Sequence, residues 1–367
     1  MDKEIITKKQ FIAIMIAFLI GSSMVLGVAG EAQRDAWISV LIAMVMSVPV
    51  FFVYSRIVSL FPGKGLYEIL TTVFGKTLGK IISIPLIWYT FHLGALVIRN
   101  FTEFISIVTL FETPQYVIAM LMIILSIWIV KAGIEVIGRW SAIVVPILLW
   151  AIVLVTLLFI PELEFGNIKP ILYDGLKPVL SAAFAVFAFP FAEVVILIAV
   201  FDNLKKGDSP YKVFYWGLLI GGINLAMITL RSLLALGLPT ISITYFPAYA
   251  SVRLINIADF IERIEVTVAI SFMLGGFVKV SMCLLVASRG ISKVLNLKSY
   301  RPIVAPVGLL MMILSLIIYS SAMEMFEWVE KYYKYYAILF QIIFPIMIWI
   351  GAEIKARKRR NGKMARG

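Results

Sequence analysis

Residues 177–201 read KPVLSAAFAVFAFPFAEVVILIAVF, an apolar run interrupted at its centre by Pro190 and Glu193. A run of that length matches the roughly 20 residues a helix needs to cross a hydrocarbon core. A proline lacks the backbone donor and clashes with the preceding turn, so Ala188-Phe189-Pro190-Phe191-Ala192-Glu193 predicts a break at mid-span. Irregular backbone at membrane depth persists only where it is buried in protein or lines a cavity, and a carboxyl group there needs a partner or a function.

The rest of the chain fits the same solvent. Of 367 residues, 62% are hydrophobic and only 15% charged, with a mean hydropathy of +1.00. Soluble domains carry about 45–50% apolar and about 25% charged residues. Ten apolar runs are long enough to be spans, near 10–30, 37–60, 82–110, 115–131, 140–160, 177–201, 213–238, 264–287, 302–321 and 335–353. The chain is expected to be an all-α polytopic membrane protein forming a single membrane domain over 1–367. Its net charge of +12 does not imply nucleic acid, because the cations cluster between spans. With the N-terminus inside, most Lys and Arg fall on the inner side. Only Arg34, Lys169, Lys177, Arg253, Arg263, Lys331 and Lys334 lie outside, while Arg99, Arg231 and Lys279 fall within spans. That bias puts both termini on the cytoplasmic side. A signal peptide is the rival reading of residues 1–30. Removing the first span would leave an odd number and lose the charge match.

Residues 61–80 carry Leu66, Ile69, Leu70, Val73 and Phe74 at helical spacing between lysines, which predicts a short interfacial helix on the inner leaflet. In the longest outer loop, 239–262, Tyr249, Val252, Leu254, Ile255 and Phe260 are candidates to cover an outer vestibule. The tail 354–367 is basic from Lys355 to Arg360 and suits anionic membrane lipid. Gly75-Lys76-Thr77 is not a phosphate loop, since Leu70 stands where that motif needs glycine. Asn100-Phe101-Thr102 falls within a span and is no glycosylation acceptor. Gly217 and Gly221 predict a close helix contact. The single Cys283 excludes an internal disulfide, and the single His92, expected as a satisfied interior group, leaves no histidine-rich metal site. No nucleophile–base constellation is visible, so neither an enzyme, a metal nor a cofactor is expected.

Ten spans divide into two halves of five, 10–160 and 177–353, which begin on opposite sides of the membrane. That is the layout of an inverted repeat. The first span of each half should then be interrupted in a matching place. Span one carries Gly21-Ser22-Ser23, then Gly27 and Gly30, and span six carries the Phe189–Glu193 stretch. Two unwound segments facing each other would present half-helix ends and free carbonyls to a small molecule.

With these two stretches the chain resembles the amino acid–polyamine–organocation superfamily, which has the LeuT-type fold. It is most similar to the endospore germination permeases, the B subunits of GerA-type germinant receptors. The resemblance rests on Ile6-Thr7 with Gln10, Phe61-Pro62-Gly63, Arg99 with Glu103, Thr113-Pro114, and Phe187 through Phe191-Ala192-Glu193, in that order along nearly the whole chain. Ser23 stands at the third position of the first break, where the family's glycine is often replaced. The resemblance implies a LeuT-type 5+5 repeat with helices 1 and 6 broken. It also implies a receptor subunit of the spore inner membrane that works with a membrane A subunit and a lipoprotein C subunit, and senses small nutrients of the amino acid or sugar class. A proton-coupled or facilitative amino-acid transporter is the competing function.

The candidate ligand-binding residues are Gly21, Ser22, Ser23, Arg99, Glu103, Phe189, Pro190 and Glu193. Arg99 and Glu103 stand i, i+4 in span three, where they either neutralise each other or meet a zwitterionic ligand. Glu193 follows the span-six break and either serves unsatisfied donors there or gates, relays a proton or holds an amine. Lys279, about fifteen residues into span eight, either snorkels to the inner surface or replaces the sodium ion that LeuT-type relatives hold between spans one and eight. Arg231 is expected to snorkel outward, and Glu262, Arg263 and Glu265 to sit at the outer interface.

Overall fold

The structure, a computed structural model, describes residues 4–253 and 265–364. Lys3, Leu254, Ile255, Phe260, Glu262, Arg263 and Arg366 lie outside the described residues.

Helices occupy all ten predicted positions. They are α1 (Lys8–Leu26), α2 (Ala36–Leu60), the short α3 (Leu66–Phe74), α4 (Lys76–Val108), α5 (Gln115–Ala132), α6 (Ile134–Leu158) and α7 (Leu176–Val186). After α7 the chain continues through a π-turn at Phe187–Phe191 into a 3-10 helix at Ala192–Asn203. Then come α8 (Pro210–Ser242), the short α9 (Pro247–Val252), α10 (Glu265–Val294), α11 (Val304–Ile317) and a final helical run of α12 (Ala322–Glu327), α13 (Tyr333–Ile338) and α14 (Phe344–Met364), joined by π-turns. Among the described residues, eight helices are long and apolar enough to cross a membrane, and α1 and α11 fill the other two predicted positions.

Burial sorts these helices into a centre and a shell. In the most apolar stretch of Leu176–Asn203, 89% of residues are buried, and the figures are 78% for α10 and 67% for α4. The same measure is 33–44% for the other five, so their apolar faces are left for lipid. The segment from Ala192 to Phe201 is apolar all round apart from Glu193 and buried on every side, as a core helix must be.

The helices meet where small residues permit it. A side chain built on Gly21 would lie 2.6 Å from the backbone of Gly275, so α1 and α10 touch main chain to main chain. This overturns the reading of Gly21-Ser22-Ser23 as an unwound stretch. α1 is helical through Leu26, Ser23 Oγ donates to the Leu19 carbonyl at 2.7 Å, and Gly21 serves close packing. The helix ends instead at Gly27, whose φ of +72° suits a residue without a Cβ. The irregular stretch then runs on through Ala29 (φ 64°) and Gln33 (φ 49°), left-handed values uncommon for non-glycine residues. In the second half the interruption falls where expected, at Phe189, with φ −135° and ψ 112° between helical neighbours.

The last helical run begins at Ala322, whereas the sequence placed it at 335. Its charged N-terminal turns are paired, Lys331 with Glu327 at 3.1 Å and Lys334 with Glu31 at 2.9 Å, so they interrupt the apolar pattern without interrupting the helix. The short α3 forms as expected, with Leu66, Ile69 and Leu70 buried.

One end of the bundle is sealed by the N-terminal segment. Ile6 N–H donates to the Asn203 carbonyl at 2.8 Å, and Lys205 N–H donates to the Ile6 carbonyl at 2.9 Å. The Glu4 carboxylate accepts from Ile134 N–H and pairs with Arg301, both at 3.0 Å. Arg289 bonds Asp202 and Asn203 beside it.

Backbone-to-backbone contact at Gly21 leaves no soft neighbour to yield. Gly21→Ala is therefore expected to lower stability by about 1–3 kcal/mol through overpacking. Gly217→Ala, which meets only the flexible end of Met15, should cost less than Gly21→Ala. Thermal unfolding of the two variants in detergent compares them.

Candidate functional site

At the centre of the bundle lies an ion pair with no access to water. Lys279 of α10 and Glu193 of the 3-10 helix are both fully buried and hydrogen-bonded to each other. The Lys279 ammonium also donates to Ser22 Oγ of α1 at 2.8 Å. It stands over two aromatic faces, 4.9 Å from the Phe18 ring centre and 5.2 Å from that of Phe189. The other oxygen of Glu193 accepts from Tyr333 of α13 at 2.5 Å. Isolated charges in such a place cost several kcal/mol each, and only a mutual pair with its remaining valences met holds them there.

The network extends beyond the pair. Tyr89 and Tyr333 hydroxyls are 3.1 Å apart, and the Gln341 amide donates at 2.8 Å to both Tyr89 and the Ala188 carbonyl. An ionised carboxylate only accepts, so Tyr333 donates to Glu193, Tyr89 to Tyr333, and Gln341 to Tyr89. Every donor in the chain points toward Glu193. Tyr54 of α2 adds a bond to the Gln341 carbonyl at 2.6 Å. Helices from both halves are thereby fastened to one carboxylate.

Above this network, away from the sealed end, opens a cavity of about 630 Å³. Both irregular stretches border it: Gly27–Gly30 from the end of α1, and Phe189 from the interruption after α7. Ile241 through Tyr245, with Pro247 and Ala248 of α9, form part of its wall, whereas Tyr249 and Val252, the described members of the group expected to cover a vestibule, do not line it. Thr229, Ser232 and Ser23 are among its polar groups. Phe189 is shared, since one ring lines the cavity and also lies against Lys279. The lining is mostly apolar with a few polar groups, the usual make-up of a small-molecule site.

The predicted site residues divide. Ser22, Glu193 and Lys279 form the central network, Ser23 and Phe189 line the cavity, and Pro190 is buried behind Phe189. Gly21 is a packing residue. Arg99 and Glu103 are buried together at 2.7 Å and do not line the cavity; Arg99 also donates to the Leu316 carbonyl at 3.4 Å. The pair thus neutralises itself along α4, the first of its two readings. Lys279 does not snorkel. Arg231 does not either: it is buried with its guanidinium over the Phe159 ring and within 3.4 Å of Thr156 Oγ1. His92 is buried against Trp88 and Tyr336, its Nδ1 without a hydrogen bond among the described residues. Tyr89, Tyr333 and Gln341 were not foreseen. Tyr89 and Gln341 lie in apolar stretches and Tyr333 among charged turns, none at a distinctive spacing, and only the tertiary fold aims them at Glu193.

Known proteins share both the sequence and the fold. The spore germination protein family (Spore_permease) matches residues 5–323. Spore germination protein KB of Bacillus subtilis (strain 168) is 29% identical over 99% of this chain and 98% of its own length. Among solved structures, MhsT in complex with L-phenylalanine superposes with a TM-score of 0.66 at 13% identity, covering 97% of this chain and all of that one. A Na+-coupled sialic acid symporter in a substrate-bound outward-open state gives 0.64 at 11% identity, over 96% and 90%. These are LeuT-fold transporters, and at such identity they speak for the fold alone.

Removing one member of the central pair strands the other. Glu193→Gln and Lys279→Met are each expected to lower stability by about 3–5 kcal/mol, and the double variant Glu193→Leu/Lys279→Met to lose less than the sum. Thermal melts of the detergent-solubilised protein measure all three.

Proposed function

The chain belongs to the spore germination protein family as an integral membrane protein similar to the B subunits of GerA-type germinant receptors, and on that premise we propose that it is the nutrient-sensing subunit of such a receptor. In this reading a small nutrient of the amino acid or sugar class binds in the cavity between Gly27–Gly30 and Phe189. The observation that carries it is that both irregular stretches border one cavity whose floor, Phe189, lies against a buried ion pair tying the two halves together. A ligand can shift such an assembly only by binding one arrangement better than another. Phe189 supplies the contact through which it would do so.

The remaining assignments follow the same frame. Ten helices span the membrane as a LeuT-type 5+5 inverted repeat, 10–160 and 177–353, with the sixth span interrupted at Phe189 and the first ending at Gly27. The sealed end carrying Glu4 faces the cytoplasm or spore core with both termini, and the cavity opens outward. The tail 354–367 lies against anionic lipid. The A subunit and the lipoprotein C subunit receive the signal. Ser23 and Phe189 contact the ligand, Ser22, Pro190 and Glu193 support them, and Arg99 and Glu103 hold α4. Lys279 supplies a fixed positive charge in place of sodium, so the response should not depend on sodium.

A transporter is the second reading, favoured by the fold of MhsT and of the sialic acid symporter. Both functions need the cavity, and only movement of the ligand separates them. Uptake of labelled nutrient into proteoliposomes carrying this chain alone would support transport; its absence alongside an intact germination response favours sensing.

Ala185→Trp fills the cavity from the α7 wall. Spores in which this variant replaces the native chain are expected to lose the response to the receptor's nutrient at normal protein level, while Glu112→Gln, on an exposed loop, keeps it. A full response from Ala185→Trp spores would remove the cavity from the account.

A further inference from the structure

The cavity has a charge asymmetry that bears on what it accepts. Among the described residues its lining contains two carboxylates, Glu31 and Glu330, and no Lys, Arg or His. Glu31 is already satisfied, since one oxygen accepts from Lys334 at 2.9 Å and the other from Ser181 at 2.5 Å. Lys334 is thereby committed to Glu31 and is itself buried. Lys331, one residue from Glu330, is turned to Glu327 at 3.1 Å. Glu330 has neither an ion pair nor a hydrogen bond among the described residues, is solvent-exposed, and has one oxygen packed against Gly30 at the end of the irregular stretch. Phe326, one turn earlier on the same helical run, lines the cavity with it, and the walls are built from groups such as Leu26, Val186, Ile228 and Val329.

We infer that the ligand of this cavity is a small organic ammonium ion with an apolar body, its charge held by Glu330. The inference rests on the cavity reading above and departs from its amino acid or sugar class, since the ligand it names carries an ammonium group and no carboxylate. A carboxylate on a ligand would find no cationic side chain among the described lining residues and would face two anions. A protonated amine would gain a charge-assisted hydrogen bond to a carboxylate that has no other partner among the described residues. The contact also falls on the helical run that carries Tyr333 and Gln341. The element that receives the ligand's charge is therefore the one bonded to Glu193.

The test uses the full chain in lipid nanodiscs and isothermal titration with three probes of one branched shape: isoamylamine, isovalerate and leucine. Empty nanodiscs correct for partition into lipid. The amine is expected to bind about tenfold or more tightly than isovalerate, and Glu330→Gln to weaken it by about tenfold or more, the scale of a lost charged hydrogen bond. Glu112→Gln should leave it unchanged. The inference is overturned if isovalerate or leucine binds as well as the amine, if Glu330→Gln binds the amine like the native chain, or if the amine does not bind. Ala185→Trp separates the two levels. Binding of any probe that this variant abolishes, but Glu330→Gln does not, leaves the cavity as the site and removes only the charge assignment. Probe binding indifferent to Ala185→Trp, together with an intact spore response of that variant, removes the cavity itself.

Discussion

Two opposite charges buried side by side hold this bundle to one arrangement. Lys279 and Glu193 come from helices of the second half, and through Ser22, Tyr89 and Tyr54 they bind helices of the first. Hydrophobic burial discriminates poorly between one helix register and another in lipid, because tails are as apolar as leucine. A charge without its partner is penalised at any displacement. The pair therefore fixes register where packing alone would tolerate sliding, and its full set of partners explains how the bundle bears the desolvation of both ions.

The same constraint shapes the cavity. Phe189 stands between the open space and the ammonium, and its extended backbone interrupts helical geometry between α7 and the 3-10 helix. At the opposite end, Glu4, Ile6, Asn203 and Arg289 close the bundle with backbone and ionic bonds. The result is a cavity floored by Phe189 and walled in part by irregular backbone at Gly27–Gly30.

Much of this was legible in the sequence, and the limits are instructive. Apolar run length located the eight helices that, among the described residues, are long and apolar enough to cross a membrane, because hydrocarbon thickness sets a ruler that tertiary structure does not alter. Pro190 marked its interruption to within one residue, since loss of a donor and a ring clash act locally. Gly21-Ser22-Ser23 misled, because small residues serve both unwinding and close approach, and only the presence of Gly275 opposite decides between them. The actual end of α1 was signalled by Gly27, a weaker mark in a helix already rich in small residues. Glu324, Glu327, Glu330, Lys331 and Lys334 break the apolar pattern, so apolar run length starts the last helix near 335 and misses its turns from Ala322. Their pairing is a tertiary fact, and so is the isolation of Glu330. Arg231 and the Arg99–Glu103 pair show the converse: charge within a span locates an anomaly without telling whether it is aimed at a ligand or at a neighbour.

The central claim is that the space bounded by Gly27–Gly30 and Phe189 is water-filled, open outward and occupied by the nutrient. Cys283 is buried, so a single reporter thiol can be read against a silent background. Ala185→Cys, labelled with a membrane-impermeant maleimide from the outer side, tests the claim most directly. The account predicts labelling that slows as nutrient is added. A thiol that stays unlabelled, or labels at the same rate with nutrient present at saturation, would contradict it.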